Sequence, residues 1–395
     1  MIDSDAKRLV TASLFSGIAG IEQGLAAAGV SDVAWFCERW TPARAVLRAR
    51  YPDVEIKDDV TGIEDFDGAT MVTAGFPCTD LSQAGLTRGL DGVNSGLVLG
   101  VLEKIATHVP DWVLLENVPN MLHLGRGAAM DRIISQLEAA GYWWAYRVLD
   151  TRFTGLAQRR RRVFLLASRV QDPSRILLGE DAGGTPASSG PVGAFGFSWT
   201  EGNRGVGWAV GATPTLKGGT TVRVASPPAV WLQHEPVGAQ IVRPSIETAE
   251  LLQGLEPGWT SAAPDRDRWK LVGNAVSVPV AAWIGERLSM REDLKDPLED
   301  GLLLTDGDRW PRAARGTPDG KRWTVDVSEY PRSPSQDGAQ NLGALLAEYG
   351  CEPLSWRATK GFRDRLLKSS LRYEPRFMAA LNAHVDYMAV ARTTA

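Results

Sequence analysis

Leu14-Phe15-Ser16-Gly17-Ile18-Ala19-Gly20-Ile21-Glu22 is the stretch on which the fold turns. It follows an apolar run, Leu9–Phe15, and opens into a helical pattern, Ile21–Ala28, so a strand passes into a helix through a glycine-rich bend. Glycine lets the backbone turn sharply and approach a ligand, and a helix N-terminus offers unpaired N–H groups there. Glu38 ends the next apolar run, Val33–Cys37, at roughly the 20-residue spacing at which an acid meets a ribose hydroxyl pair. A nucleotide-type ligand fits this pattern, NAD included. A glycine turn needed only for strand–helix packing fits it as well. Asp59 is either a partner for an adenine amino group or a solvated loop acid, and Phe15 either stacks on a base or belongs to the core.

Outward from this bend, the apolar runs Met71–Ala74, Trp112–Leu115, Arg147–Leu149 and Val163–Ala167 read as further buried strands. Helical patterns lie between them at Leu97–His108 and Met130–Ala140, the latter stopped by Gly141. The alternation predicts an α/β fold with a mostly parallel, doubly wound sheet. The expected organisation is a sheet domain over 1–168 and a small loop-rich region over 169–268. A helix returning to the sheet domain follows over 269–290, and then a C-terminal extension over 291–395. Gly, Pro, Ser, Thr and Trp dominate Gly179 to Pro228, whereas helical patterns return at Ser245–Leu252 and Pro279–Leu288. Met290 to Asp308 is charged and reads as a linker, and Gly361–Val390 is helix-like.

The composition narrows the function classes. Of the 395 residues 44% are hydrophobic, enough for a packed core. No apolar run approaches the roughly 20 residues of a membrane span, and the polar N-terminus is no signal peptide. Cys37, Cys78 and Cys351 lie far apart without a CxxC pair, which argues against a disulfide framework or a zinc site and suits a reducing cytoplasm. The net charge is -4, yet Thr151 to Val170 holds six arginines and no acid, and the chain from Cys351 onward is also basic. Acids gather instead in Glu55 to Asp67 and Glu286 to Asp308. Local basic surface of this kind is compatible with nucleic acid.

Four further clusters carry chemistry. In Ala74-Gly75-Phe76-Pro77-Cys78-Thr79-Asp80-Leu81-Ser82 a cysteine sits at the rim where α/β sheets place their sites; it is a nucleophile or an inert thiol. Leu114-Leu115-Glu116-Asn117-Val118-Pro119-Asn120 brings a glutamate to the same edge, lining the same cleft or capping a turn. In Gln158-Arg159-Arg160-Arg161-Arg162-Val163 side chains alternate along a strand, so Arg160 and Arg162 face one way and Arg159 and Arg161 the other. Leu271-Val272-Gly273-Asn274-Ala275 reads as a turn opening a helix that has Pro279 in its first turn, with Asn274 as cap or as pocket residue.

In this order, the clusters resemble the DNA cytosine-C5 methyltransferase family. The matching residues are Phe15 to Gly20, Pro77-Cys78, Glu116-Asn117-Val118, Gln158 to Arg162, and Gly273-Asn274 with Pro279. Arg243-Pro244-Ser245 to Leu252-Gln253-Gly254 looks like the family's motif before the final helix, and the matches together span about residues 10–290. The resemblance implies a Rossmann-like S-adenosylmethionine-dependent fold and a small target-recognition domain. It implies that Cys78 attacks C6 of a flipped cytosine, which makes C5 nucleophilic. Glu116 would stabilise N3, and Arg162 would contact O2 with Arg160 in support. Phe15, Gly17, Ile18, Glu38, Asp59, Pro77, Leu97 and Asn274 would hold S-adenosylmethionine, and no metal is expected.

Ser82 to Gly96 would be a mobile lid. Ser82 and Arg88 in it, with Arg204, Lys217 and Arg223 in the recognition region, are the candidate DNA contacts. This chain has Thr79-Asp80-Leu81 where many members carry Gln and an aromatic, and residues after about Met290 match no family motif. Expected partners are double-stranded DNA and a companion restriction endonuclease, with the enzyme a cytoplasmic monomer free of membrane. The same chemistry on RNA, a non-catalytic DNA-binding protein and a Rossmann-type oxidoreductase are the competing readings. An oxidoreductase would leave Pro77-Cys78 and Glu116-Asn117-Val118 without a purpose.

Overall fold

The computed structural model describes residues 8–76, 95–184, 193–203, 205–218, 227–294, 301–305, 307–334 and 338–393. The chain divides into two compact units, each assembled from separated segments. The first comprises Met1–Phe153, Arg161–Thr185 and Val276–Ser333, and the second Thr154–Arg160, Pro186–Ala275 and Pro334–Ala395. This partition differs from a linear series with boundaries near 168, 268 and 290. The chain crosses between units several times, so no cut in the sequence separates them.

The first unit is built on a nine-stranded sheet. Its strands are β1 (Leu9–Leu14), β2 (Ser31–Cys37), β3 (Glu55–Lys57), β4 (Met71–Gly75), β5 (Trp112–Asn117), β6 (Trp143–Asp150), β7 (Arg161–Ser168), β8 (Ala313–Gly316) and β9 (Arg322–Thr324). They lie in the order β9-β8-β6-β7-β5-β4-β1-β2-β3. Strands β1 to β5 pair in parallel, and the insertion of β7 between β5 and β6 is antiparallel on both sides. Only β7 and β8 therefore run against the rest, which makes the sheet mostly parallel. Helices cover both faces: α1 (Gly20–Ala27), α2 (Thr41–Arg50), α3 (Ser95–His108), α4 (Ala128–Ala139), α5 (Ser174–Leu178) and α6 (Val278–Ser289).

Strand parity builds the two cores. Val113 and Leu115 of β5 pack with Val101 and Ile105 of α3 and Ile133 of α4, whereas Trp112 and Leu114 join Leu25 of α1 and Ile284 of α6. Helices α1 and α6 approach unusually closely. A Cβ added to Gly20 would lie 2.3 Å from the Val276 carbonyl oxygen, and one on Gly24 would lie 2.5 Å from that of Val278. Small residues at this spacing let two helix backbones touch, and any side chain there must displace backbone.

β8 and β9, with Arg322 pairing to Glu138 of α4, come from the segment expected as an unassigned extension. Leu302 and Leu304 of the expected linker hydrogen-bond along β9, so the described end of that stretch runs against the sheet edge. The buried Arg147 of β6 ties in the same region. It donates to the carbonyls of Leu177, Glu180 and Ser328 and pairs with Asp181 at 3.0 Å. Burial pulls its guanidinium down to about 10.

The second unit contains an antiparallel five-stranded sheet in the order 209–210, 194–197, 229–232, 241–244, 351–353. The helices Trp356–Leu367 and Pro375–Thr393 supply Phe362, Phe377 and Leu381 to a core with Phe197 and Trp231 of this sheet. Phe197 lies 4.9 Å from Phe362 and 5.0 Å from Phe377, ring centre to ring centre. The two C-terminal helices are thus part of the core of the unit expected to read the target.

Replacement of Gly20 by Ala is expected to lower stability by about 1–3 kcal/mol through overpacking, while Gly62→Ala, whose added Cβ meets nothing within 4 Å, is near neutral. Denaturant midpoints of the two variants check this.

Candidate active site

The bend after β1 is held by three left-handed residues, Phe15 (φ 52°), Gly17 (φ 57°) and Ala19 (φ 65°). A Cβ on Gly17 would meet nothing within 4 Å, so this position requires glycine for its backbone angle rather than for lack of room. Glu38, at the end of β2, accepts the Gly17 N–H at 2.7 Å and the Trp40 N–H at 2.7 Å. Burial raises its carboxyl above the usual range, opposed by these backbone hydrogen bonds. Asp59, just past β3, accepts from the Thr61 N–H at 2.9 Å and its hydroxyl at 2.8 Å, and those bonds lower its carboxyl. Ile18 is buried; Phe15 and Leu97 of α3 are half-buried and pack against the same core.

Bends and acids therefore gather at the carboxyl ends of three adjacent parallel strands, β1, β2 and β3. That is where open α/β sheets bind ligands. Open space over Gly17, a half-exposed carboxylate on Glu38 and a second acid on Asp59 fit a ligand with a ribose and an adenine. Each Glu38 oxygen that accepts one backbone N–H retains a further lone pair for a hydroxyl.

Beneath this bend lies a polar cluster that periodicity does not reveal. Glu22 is 3% exposed and its Oε1 accepts the hydroxyls of Ser13 at 2.8 Å and Thr73 at 2.6 Å. Burial raises its carboxyl. It links β1, α1 and β4 under the glycine turn.

One strand further, Glu116, the last residue but one of β5, lies opposite Gly75, the last residue of β4. Its Oε1 receives the Nε of Arg162 at 3.0 Å, with only 9% and 14% of the two side chains exposed. Antiparallel register sets Glu116 against Phe164, so Arg162 lies on the diagonal of the same face and reaches across. Arg162 Nη1 also donates to the Arg161 carbonyl at 2.8 Å. Asn117 donates to the Phe76 carbonyl at 3.2 Å and accepts the Val118 N–H at 2.8 Å. It thereby holds the residue that leads into Pro77-Cys78. Pro77, Cys78, Ser82 and Arg88, with most of the expected lid, lie outside the described residues, as do Arg204 and Arg223.

The arginine run is not the single alternating strand expected: Gln158-Arg159 pairs with Thr213-Pro214 in the second unit, Arg161 opens β7 in the first, and Arg160 lies in neither strand. Arg160 and Arg162 are turned inward, Arg161 outward to Glu329, and the half-buried Arg159 donates to the Trp208 carbonyl. Arg160 belongs to the second unit, where it donates to the carbonyls of Leu216, Gly273 and Ala275 at 3.0, 3.2 and 2.6 Å. A cation there satisfies the carbonyls at the C-terminus of the helix Asp265–Asn274. Gln158 adds bonds to the Leu252 carbonyl and the Leu216 N–H.

Gly273-Asn274 ends this helix rather than opening the next, which Ser277 precedes. The cause is close packing: a Cβ on Gly273 would lie 2.3 Å from the Gly218 nitrogen, and Asn274 Oδ1 overlies Gly218. Lys217, beside it, is half-exposed and paired with Glu201.

Among the described residues no His, Cys, Asp or Glu cluster suits a metal, and no helix is long and apolar enough to cross a membrane. Cys37 and Cys351 are free thiols, the first buried and pushed up to about 12.

Solved structures share the fold. The chain superposes on S. pombe Dnmt2 methyltransferase with a TM-score of 0.56 at 15% identity, covering 72% of this chain and 99% of that one. It matches the Entamoeba histolytica methyltransferase EhMeth with a TM-score of 0.54 at 13% identity, covering 73% and 100%. The fold is that of the Rossmann-like methyltransferases. Residues 9–189 match the family model of C-5 cytosine-specific DNA methylases. Over 95% of its length the chain is 42% identical to the type II methyltransferase M2.BsuMI of Bacillus subtilis (strain 168), covering 97% of that protein. It is 32% identical over 41% of its length to M.Bsp6I of Bacillus sp. (strain RFL6), covering 52% of it. The chain belongs to the C-5 cytosine-specific DNA methylases and is a DNA cytosine-5 methyltransferase.

Because burial raises Glu22, the stability it contributes is complete at pH values below the ordinary carboxylate range and is lost as pH rises through its folded value. The thermal midpoint of Glu22→Gln relative to the native protein is therefore expected to rise from pH 4 to pH 8 (approximate bounds). A difference independent of pH rejects this assignment.

Proposed function

We propose that the enzyme transfers a methyl group to C5 of a cytosine flipped from duplex DNA, with Cys78 as nucleophile and Glu116, Arg162 and Asn117 organising the site. The observation that carries this reading is the Glu116–Arg162 pair at 3.0 Å, at the end of β5 beside the strand that leads into Cys78. A Cys78 thiolate adds to C6, breaking the aromaticity of the ring and delivering an electron pair to C5. The carboxyl of Glu116 meets N3, where negative charge develops, and Arg162 donates to O2 while holding the Glu116 carboxyl in place. Asn117 fixes the Phe76 carbonyl, two residues before Cys78 in the sequence. With that pair C5 would take the methyl group, whose former carrier leaves as a neutral thioether. Loss of the C5 proton to a base, with elimination of the thiolate, then restores the ring.

S-adenosylmethionine suits the bend after β1: Glu38 would take its ribose, Asp59 its adenine amino group, and Phe15, Ile18 and Leu97 its apolar faces. When bound, it supplies an electrophilic methyl group on a sulfonium. Pro77 and Asn274 remain assigned to this ligand, and Arg160 to support of the site, by resemblance alone. The target is read by the second unit, with Lys217, Arg204 and Arg223 as contacts, and by Ser82 and Arg88 in the lid. The names of its relatives support a restriction–modification role in which methylation protects host DNA from a companion endonuclease.

Duplex DNA carrying 5-fluorocytosine, incubated with S-adenosylmethionine, is expected to give a covalent protein–DNA adduct that Cys78→Ser abolishes; an adduct surviving in the variant overturns the nucleophile. In calorimetry Glu38→Ala is expected to weaken S-adenosylmethionine binding roughly tenfold or more, as loss of a charge-assisted hydrogen-bonding site implies. Unchanged affinity refutes the ribose assignment.

A further inference from the structure

The helix Trp356–Leu367 and the turn that follows it lie outside every family motif matched above, yet they hold the strongest local charge of the second unit. From Trp356 to Arg376 there are seven basic residues and two acids, in a protein whose net charge is -4. Both acids are already neutralised: Asp364 pairs with Lys360 at 2.6 Å and Arg363 at 2.9 Å, and Glu374 pairs with Arg376 at 2.5 Å. Arg365 is turned inward, donating to the carbonyls of Trp199 and Glu201 at 2.7 and 2.8 Å.

Arg357, Lys368 and Arg372 remain, all exposed and without an ion-pair partner among the described residues. Arg357, Lys360, Asp364 and Lys368 recur at helical spacing, so Arg357 and Lys368 rise along one stripe of the helix. Arg372 follows in the turn, next to the exposed Tyr373. The opposite side of the helix is fixed, because Phe362 and Leu366 are fully buried against Phe197 and Phe377. Arginine and lysine held on a rigid helix without carboxylate partners match the regularly spaced phosphates of a duplex, and contacts of this kind set position rather than sequence preference.

We infer that Arg357, Lys368 and Arg372 form a phosphate-contacting face, through which the C-terminal helices anchor the second unit on duplex DNA independently of the base sequence. This rests on the DNA-methylating reading, and the test separates the two. Affinity for a duplex containing the target and for one lacking it is measured by fluorescence anisotropy across a salt series. The native protein is compared with the triple variant Arg357→Gln, Lys368→Gln, Arg372→Gln and with each single variant. The magnitude of the slope of log Kd against log salt is expected to fall by about 0.9 per residue, or about 2 to 3 for the triple variant. The ratio of affinities for the two duplexes and the affinity for S-adenosylmethionine stay as in the native protein.

A native slope retained by the triple variant, with its thermal midpoint unchanged, overturns the inference. A changed ratio between duplexes overturns it too, since the residues would then read bases. Should the native protein show no salt-dependent duplex binding, the DNA reading itself fails and this face falls with it. If the triple variant does not fold, the single variants decide by the same slope.

Discussion

Contact between the backbones of α1 and α6 is the constraint on which the first unit depends. Gly20 and Gly24 bring the helix that follows the glycine bend to within touching distance of Val276 to Val278, more than 250 residues later in the chain. The bend itself, with three left-handed residues in five, stores strain that only a rigid surrounding can hold. Rigidity comes from the α6 backbone on one side and from the Ser13–Glu22–Thr73 bonds on the other. A hydrogen bond between Thr151 and Ser277 at 3.1 Å fastens the same junction to the end of β6. The Gly17 backbone and the Glu38 carboxylate are thereby held in place by the fold itself, so a ligand meeting them would not have to order them.

The second determinant is electrostatic. Taking Glu116 and Arg162 out of water is unfavourable for each charge, and pairing offsets that penalty without making the pair a source of stability. Its value is directional. Carboxylate and guanidinium fix one another's orientation on adjacent antiparallel strands, so both point where a planar base with neighbouring acceptor and donor atoms would meet them. Lysine in place of Arg162 would keep the charge and lose the fork.

Much of this was legible in the sequence because it rests on short-range signals. Strand runs such as Trp112–Leu115 and Val163–Ala167 are apolar on both faces, and their order alone implied a doubly wound sheet. What stayed hidden depends on packing between distant segments. Gly273 looked like a helix-opening turn, yet its role is to admit the Gly218 backbone, a neighbour that no local pattern announces. β8, Ala313-Ala314-Arg315-Gly316, is too short and too poor in β-branched or aromatic residues to read as a strand, and it becomes one by pairing with the edge of β6. Asn117 sits inside a recognisable motif, but its hold on the Phe76 carbonyl needed coordinates. The aromatic residues Phe362 and Phe377 were visible as helix residues and not as the core of the other unit.

That late-arriving edge has a meaning for how the protein is made. β6 leaves the ribosome long before β8 does, and until then its outer row of N–H and C=O groups has no ladder to join. A growing chain therefore carries an open sheet edge through much of its synthesis, the kind of surface that templates pairing with another molecule. The same holds for α1, whose glycine face waits for Val276 to emerge. Completion of the nine-stranded sheet thus waits on residues far along the chain from the glycine bend that opens it.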